Sequence, residues 1–154
     1  MPKKITIAVD AMGGDNSPEK VINGILLHSK NDKNIFYKIF GDSIKIKSLI
    51  SKSFSENSYE IIDTKDEVKN TDSPLSAARS KNSSMWLAIN SVKNKESDIV
   101  ISAGNTGALF VIAKLNLNMI ENIDKPALAG LWPNKNGTNV VLDLGASIDC
   151  SEKI

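Results

Sequence analysis

Three short segments of the sequence combine glycine with an acidic, amide or hydroxyl side chain, and each follows an apolar run. Glycine lets a backbone approach a ligand closely, and the free N–H groups at a helix start attract anions. The segments therefore predict sites for a phosphate-like anion, although glycine at such places also serves simply to make a turn. They are Asp10-Ala11-Met12-Gly13-Gly14-Asp15, Ser102-Ala103-Gly104-Asn105-Thr106-Gly107 and Asp143-Leu144-Gly145-Ala146-Ser147-Ile148-Asp149.

None of these segments has the pattern of a common nucleotide-binding loop. No lysine follows the second glycine of Gly104-Asn105-Thr106-Gly107, so it is not a Walker loop. The spacing of its glycines also differs from that of the dinucleotide fingerprint.

Other chemically capable residues give weaker signals. His28 lies on a predicted helix and is expected to be partly exposed, not a base. Cys150 has no histidine nearby in sequence and is interpreted as structural. Trp86 and Trp132 are interpreted as packing residues. No set of cysteines and histidines has zinc spacing, so no metal site is predicted.

Composition is typical of a globular protein that binds neither nucleic acid nor a membrane through charge. The 154 residues are 41% hydrophobic and 24% charged, with a formal net charge of +1. One cysteine allows no disulfide within the chain, which fits a cytoplasmic location. The length predicts a single domain, residues 1–154.

Strands and helices alternate along most of the chain. Short β-branched runs predict strands, and apolar residues at helical spacing, such as Val21, Ile22, Ile25 and Leu26, predict helices between them. This order favours an α/β domain with a mainly parallel sheet. Ser17 is predicted to cap the first helix, with Pro18 at its first position. The expected elements are strands at 5–9, 35–40, 59–62, 98–102, 127–132 and 139–144 and helices at 17–26, 44–54, 74–79, 83–92 and 105–119.

The anion-binding hypothesis depends on where the strands end. In open parallel sheets, ligands bind outside the carboxyl ends of the strands. Ile99–Ile101 is predicted to be a buried strand, so Gly104 to Gly107 would lie at that edge of the sheet. The loop that begins at Asp10 is expected there as well.

Five sequence blocks, taken together and in order, resemble the bacterial phosphate acyltransferases of phospholipid synthesis. The blocks are VDAMGGD, SSMWLAINSVK, VISAGNTGAL, KPALAG and VVLDLGASIDC. The resemblance implies a three-layer α/β/α fold like those of isopropylmalate dehydrogenase and phosphotransacetylase. Members of the family are more than twice as long, so this chain is expected to be the N-terminal, incomplete portion of the fold, with little activity alone.

The resemblance also implies a reaction. Long-chain acyl carrier protein and inorganic phosphate would give acyl phosphate and free carrier, and a membrane glycerol-3-phosphate acyltransferase would use the product for phosphatidic acid. No metal or other cofactor and no nucleic acid are implied. The expected form is a cytoplasmic homodimer, near the inner face of the membrane.

Site residues follow from the same resemblance and from the loops above. Asn105, Thr106 and Asp10 are predicted to be catalytic, with Asp10 holding a loop or orienting a basic group. The predicted substrate-binding residues are Gly13, Gly14, Asp15, Arg79, Lys81, Ser102, Gly104, Gly107, Asp143 and Gly145. Two alternatives stay open, namely an inactive α/β fragment that only binds partners and an isopropylmalate-type dehydrogenase domain.

Overall fold

The structure is a computed structural model that describes residues 4–50, 54–123 and 125–144. The chain divides into two compact units, Met1–Leu117 and Asn118–Ile154. None of the helices in the described ranges is long and apolar enough to cross a membrane.

The first unit is a three-layer α/β fold around one parallel sheet, as predicted from the alternation of elements. The strand order is β3 (Tyr59–Asp63), β2 (Ile35–Gly41), β1 (Ile5–Asp10) and β4 (Ile99–Ser102), and every neighbouring pair is parallel. Helices connect the strands and cover both faces. The elements are β1 (Ile5–Asp10), α1 (Glu19–Asn31), β2 (Ile35–Gly41), α2 (Ser43–Leu49), a 3-10 turn (Glu56–Ser58), β3 (Tyr59–Asp63), α3 (Pro74–Arg79), α4 (Ser84–Lys93), β4 (Ile99–Ser102) and α5 (Thr106–Asn116).

Two apolar cores lie on opposite faces of the sheet because side chains alternate along each strand. On one face, Val9 of β1 packs with Ile22 and Ile25 of α1. On the other, Ala8 packs with Ala88 of α4. A neighbouring cluster on the α4 side joins α4 to α5 through buried Met85, Ile89, Ala108 and Ile112.

β4 is an edge strand of the described sheet, so the prediction that Ile99–Ile101 is a buried strand is wrong. Only β1 pairs with β4 among the described strands, and Ile99 and Ile101 are 49% and 50% exposed. An apolar run favours a buried strand, but it does not reveal how many neighbouring strands pair with it.

Polar side chains set several helix starts. Asp42 accepts hydrogen bonds from the Ile44 and Lys45 amides, and Ser83 caps α4 by accepting from the Trp86 amide. The first helix differs from prediction, because Pro18 occupies the cap position without a side-chain bond. Ser17 Oγ instead donates to the carbonyl of Gly13 (2.6 Å), which closes the loop before the helix.

The second unit contains an antiparallel hairpin, as the Asn-Gly signal predicts. β5 (Ala129–Asn134) pairs with β6 (Gly137–Leu142). Gly137 has φ of 141°, a conformation that favours glycine. Trp132 is 61% exposed in this unit, so the described contacts do not make it the packing residue that the sequence predicted.

Candidate functional site

A buried carboxylate joins three elements at the carboxyl end of the sheet. Asp10 ends β1 in register with Ser102, which ends β4, and Asp10 is only 1% exposed. Its Oδ2 accepts a hydrogen bond from Ser102 Oγ (2.7 Å), and its Oδ1 accepts one from Ser84 Oγ (2.6 Å) at the start of α4. Asp10 thereby fixes the strand ends from which two of the predicted loops leave.

Gly13 and Gly104 bring those two loops into direct backbone contact. A Cβ atom at Gly13 would lie 2.9 Å from the Gly104 amide nitrogen and 2.5 Å from Asp10 Oδ2. A Cβ atom at Gly104 would lie 3.1 Å from the Gly13 Cα and 2.9 Å from Met85 Cε. The glycines are therefore required for the loops to pack on each other, whatever else the loops bind.

Gly14 has its own backbone requirement in the same loop. Its φ is 89°, and a Cβ atom there would collide with the carbonyl of Ala103. Asp15, the next residue, is exposed, and its Oδ1 accepts a hydrogen bond from Asn70 Nδ2 (3.1 Å).

Asn105 uses its whole amide group inside the protein. Its Oδ1 caps α5 by accepting from the Ala108 amide (3.0 Å). Its Nδ2 lies within hydrogen-bonding distance of the carbonyls of Lys69 (3.4 Å), Asn70 (3.2 Å) and Asp72 (3.1 Å). This side chain therefore anchors the loop before α3 to the start of α5.

The first turn of α5 presents two amide groups that remain available to a ligand. The Gly104 N–H donates to Ser102 Oγ (3.1 Å), and the Ala108 N–H is taken by Asn105. The N–H groups of Thr106 and Gly107 have no acceptor within the described ranges. These donors point from the positive end of the helix dipole and can bind an anion.

The predicted basic residues are accessible, and they are not in ion pairs with any described residue. Arg79 lies in the last turn of α3, whose first residue, Pro74, packs against Gly107. Arg79 and Lys81 are both exposed. The structure places Arg79 at the end of α3 and Lys81 two residues beyond it, on the segment whose first residue adjoins α5.

The third predicted loop belongs to the second unit. Asp143 follows β6 with a φ of 55°, whereas Gly145 lies outside the described residues, as does Cys150. No group of three or more potential metal ligands was found in the described part of the chain.

An apolar groove adjoins the two loops on the α1 face of the sheet. Its volume is about 560 Å³. Loop residues Gly13, Gly14, Ser102 and Ala103 contribute to its lining, together with Asp10 and Asp15. The side chains along its length are mainly apolar and come from β1, β4 and α1, among them Ile7, Val9, Val21, Ile25 and Ile101.

Shifted pKa values occur away from the loops. Burial raises the pKa of the Tyr37 phenol, with a smaller effect from the charge of Asp32. Hydrogen bonds from Ser43 lower the pKa of Asp63, and Lys38, 2.7 Å away, lowers that of Glu96.

Sequence reasoning did not identify Ser84, Asn70 or Gly24 as part of this region. The sequence places Ser84 only at the start of the helix predicted at 83–92, yet its hydroxyl reaches Asp10 across 74 residues of sequence. The sequence does mark Gly24 in one way. Glycine inside a helix is unfavourable, so a glycine within the helical apolar pattern indicates a position with a packing or functional reason.

A family model described as "Fatty acid synthesis protein" matches residues 5–154. The chain belongs to this family. The match includes all three glycine-bearing segments and the hairpin of the second unit.

Several curated relatives share the name phosphate acyltransferase. Proteins named phosphate acyltransferase are 68% identical in Pelagibacter ubique, 46% in Parvibaculum lavamentivorans and 44% in Clostridium acetobutylicum. The alignments cover 99%, 96% and 94% of this chain but only 46%, 42% and 44% of those proteins. The chain thus spans less than half the length of these relatives, and the resemblance noted in the sequence is confirmed.

Proposed function

We propose that this protein takes part in phosphate acyltransfer, making acyl phosphate from an acyl thioester of acyl carrier protein and inorganic phosphate. A phosphate oxygen attacks the thioester carbonyl carbon, the carbon–sulfur bond breaks, and the carrier thiolate leaves and takes up a proton. The product serves phospholipid synthesis through a membrane acyltransferase. The name shared by the relatives supports this reaction class.

One observation carries the assignment of the phosphate position. At the start of α5, the N–H groups of Thr106 and Gly107 have no acceptor in the described part of the chain, while their neighbours Gly104 and Ala108 are engaged. Two adjacent free donors at a helix start suit a phosphate oxygen. They would also stabilise negative charge as it develops on the bound reactants.

Within this proposal, Asp10 and Asn105 position the loops and do not touch the reacting atoms. Asp10 already accepts from two serine hydroxyls, and a carboxylate repels phosphate. The amide nitrogen of Asn105 already donates to the loop carbonyls, so it has no donor left for a ligand. Asp15 and Asp143 are assigned to loop geometry in the same way.

The exposed Arg79 and Lys81 are assigned to phosphate or carrier contact. Acyl carrier protein is acidic, and complementary charge promotes the encounter between partners. We propose that the protein works in the cytoplasm as a homodimer, with the conversion of acyl phosphate left to the membrane enzyme.

The test uses proline to remove one donor. Thr106 is the first helical residue after the cap Asn105, a position that tolerates proline, and Asn105 has the extended ψ of 112° that a residue before proline prefers. Thr106→Pro should keep α5 and weaken phosphate binding by about tenfold, the loss of one hydrogen bond to a charged group. Thr106→Ala, which keeps the N–H and loses the hydroxyl, is the matched control.

Binding of inorganic phosphate is followed by amide NMR, and turnover of the natural gene product by release of carrier thiol from palmitoyl carrier protein. If Thr106→Pro binds phosphate as well as Thr106→Ala does, the phosphate position is wrong. If thiol release does not depend on phosphate, the reaction itself is wrong. NAD reduction with isopropylmalate would instead favour the dehydrogenase alternative.

A further inference from the structure

The apolar groove contains a glycine that the fold itself does not explain. Gly24 lies inside α1 and lines the groove, and a Cβ atom placed there meets no heavy atom within 4 Å. A glycine inside a helix costs stability relative to alanine. Gly13 and Gly104, by contrast, have packing reasons. Gly24 therefore keeps space open in the groove without serving a contact within the described residues.

The groove changes from polar to apolar along its length. Its polar end lies at the carboxyl ends of β1 and β4, where Asp10 and Ser102 end the strands. From there Val9, Ile7 and Ile101 form the floor, and Val21 and Ile25 of α1 form a wall. Lys20 and His28, both on this wall, are separated by about 12 Å along the helix axis.

We propose that this groove holds the aliphatic chain of the acyl substrate, with the acyl head at the strand-end loops; this inference rests on the proposed function. The loop residues Ser102 and Ala103 line the groove and immediately precede Gly104 and the α5 start in sequence, although residues 104–107 do not themselves line it. A volume of about 560 Å³ is in the range of small-molecule sites. A chain that enters at the polar end would bury its methylenes against the isoleucines.

The alternative occupant is polypeptide, either a second copy or a further segment, packed over the exposed residues of β4. A polypeptide occupant does not call for a polar entrance at the proposed phosphate position. It predicts instead that filling the groove at Gly24 changes self-association of the protein. The two occupants therefore differ in a measurable way.

The experiment titrates the protein with dodecyl phosphate, butyl phosphate and inorganic phosphate, all as monomers, and follows isoleucine methyl and backbone amide NMR signals. Dodecyl phosphate should shift the methyl groups of Ile7, Ile25 and Ile101. The methyl groups of Ile89 and Ile112, buried on the opposite side of the sheet, should not move. Affinity should rise by up to about fourfold per buried methylene from butyl to longer chains.

Gly24→Leu supplies the variant that fills the groove. It should weaken binding of dodecyl phosphate at least tenfold and leave inorganic phosphate binding unchanged. Asn23→Leu is the matched control, because Asn23 is the exposed neighbour on α1 and does not line the groove. If Gly24→Leu does not fold, the chain-length series on the unmodified protein decides.

The outcomes separate this inference from the proposed function. Equal affinity for dodecyl and butyl phosphate, or shifts outside the groove, would overturn the acyl-chain assignment even if inorganic phosphate moves the Thr106 and Gly107 amides. Groove shifts with dodecyl phosphate, without any effect of inorganic phosphate at those amides, would support the groove and overturn the phosphate position. Gly24→Leu altering only self-association would indicate polypeptide in the groove.

Discussion

At the scale of single residues, Gly13 and Gly24 differ in what a methyl group would meet. At Gly13 the new Cβ atom would approach Asp10 Oδ2 and the Gly104 backbone, whereas at Gly24 it would meet open space. We expect Gly13→Ala to lower the free energy of unfolding by about 1–3 kcal/mol through overpacking. Gly24→Ala should raise it by up to about 1 kcal/mol through helix propensity.

Chemical denaturation of the two variants measures both effects, and each serves as the control for the other. Destabilisation by Gly24→Ala would show that this position is already filled in the folded protein. An unchanged midpoint for Gly13→Ala would show that the two loops do not pack as closely as their backbone contact indicates.

Tyr37 gives the protein a sensitivity to alkaline pH. Its side chain is 4% exposed, and His28 Nδ1 lies 2.7 Å from its hydroxyl. Burial raises the pKa of this phenol above 10.0. The phenol keeps its proton in the folded state at a pH where the unfolded chain releases it. The contribution of this group to stability is therefore complete below about pH 10 and is lost as pH rises through its folded pKa.

The phenylalanine variant isolates that contribution. Above about pH 10, the free energy of unfolding should fall more steeply for the unmodified protein than for Tyr37→Phe. Lysine deprotonation affects both proteins alike, so the difference between the two curves reports the phenol. Parallel curves would contradict the assignment.

At the scale of elements, Asn105 connects a helix start to a distant loop. Its oxygen caps α5, and its nitrogen holds the carbonyls of the 69–72 segment. Asn105→Asp keeps the cap and places a negative oxygen against those carbonyls, so it should loosen the loop while α5 persists. Asn105→Ala loses both functions and should cost about 1–2 kcal/mol for the cap alone.

Amide hydrogen exchange distinguishes these effects. In Asn105→Asp, exchange should accelerate at 69–72 and stay slow within α5, whereas Asn105→Ala should accelerate both. Equal protection of the loop in Asn105→Asp and the unmodified protein would mean that the amide nitrogen contributes nothing to its anchoring.

Local pattern predicted most elements but not their long-range partners. The helices predicted at 74–79 and 83–92 match α3 (Pro74–Arg79) and α4 (Ser84–Lys93), because proline and serine signals for a helix start act within one turn. The contacts of Asn105 with the 69–72 segment span 33 to 36 residues, and no local signal reports such a distance. The edge position of β4 was missed for the same reason, since it depends on which strands are neighbours.

The same distinction holds within the site. Glycine and polar residues correctly marked two loops that meet at the strand ends, because parallel strands deliver their ends to one edge. The hydrogen bond from Ser84 to Asp10 and the open space at Gly24 depend on packing between elements. Those features become visible only when the elements are placed together.

At the scale of the whole molecule, the exposed edge of β4 predicts self-association. Strand edges with exposed apolar side chains tend to pair with other chains, and Ile99 is 49% exposed. In sedimentation velocity, self-association raises the weight-average mass as protein concentration rises. Ile99→Lys should make that increase smaller. Leu27→Lys is the control, because Leu27 is a 64% exposed apolar residue that belongs to α1 and not to a strand.

A reduction by both variants would indicate general surface apolarity and would contradict a specific contribution of the edge. A reduction by Ile99→Lys alone would support the edge as a site of association between copies. The proposed homodimer is then tested by measuring thiol release at protein concentrations that give different weight-average masses.

The division into two units also distributes the two tryptophans. Trp86 lies half-buried on α4 in the first unit, and Trp132 lies on β5 in the second. Each unit thus carries its own intrinsic fluorophore, and replacing either one with phenylalanine leaves a protein whose emission reports a single unit. Such a pair of single-tryptophan proteins would reveal whether the two units melt together or one after the other, without any added label.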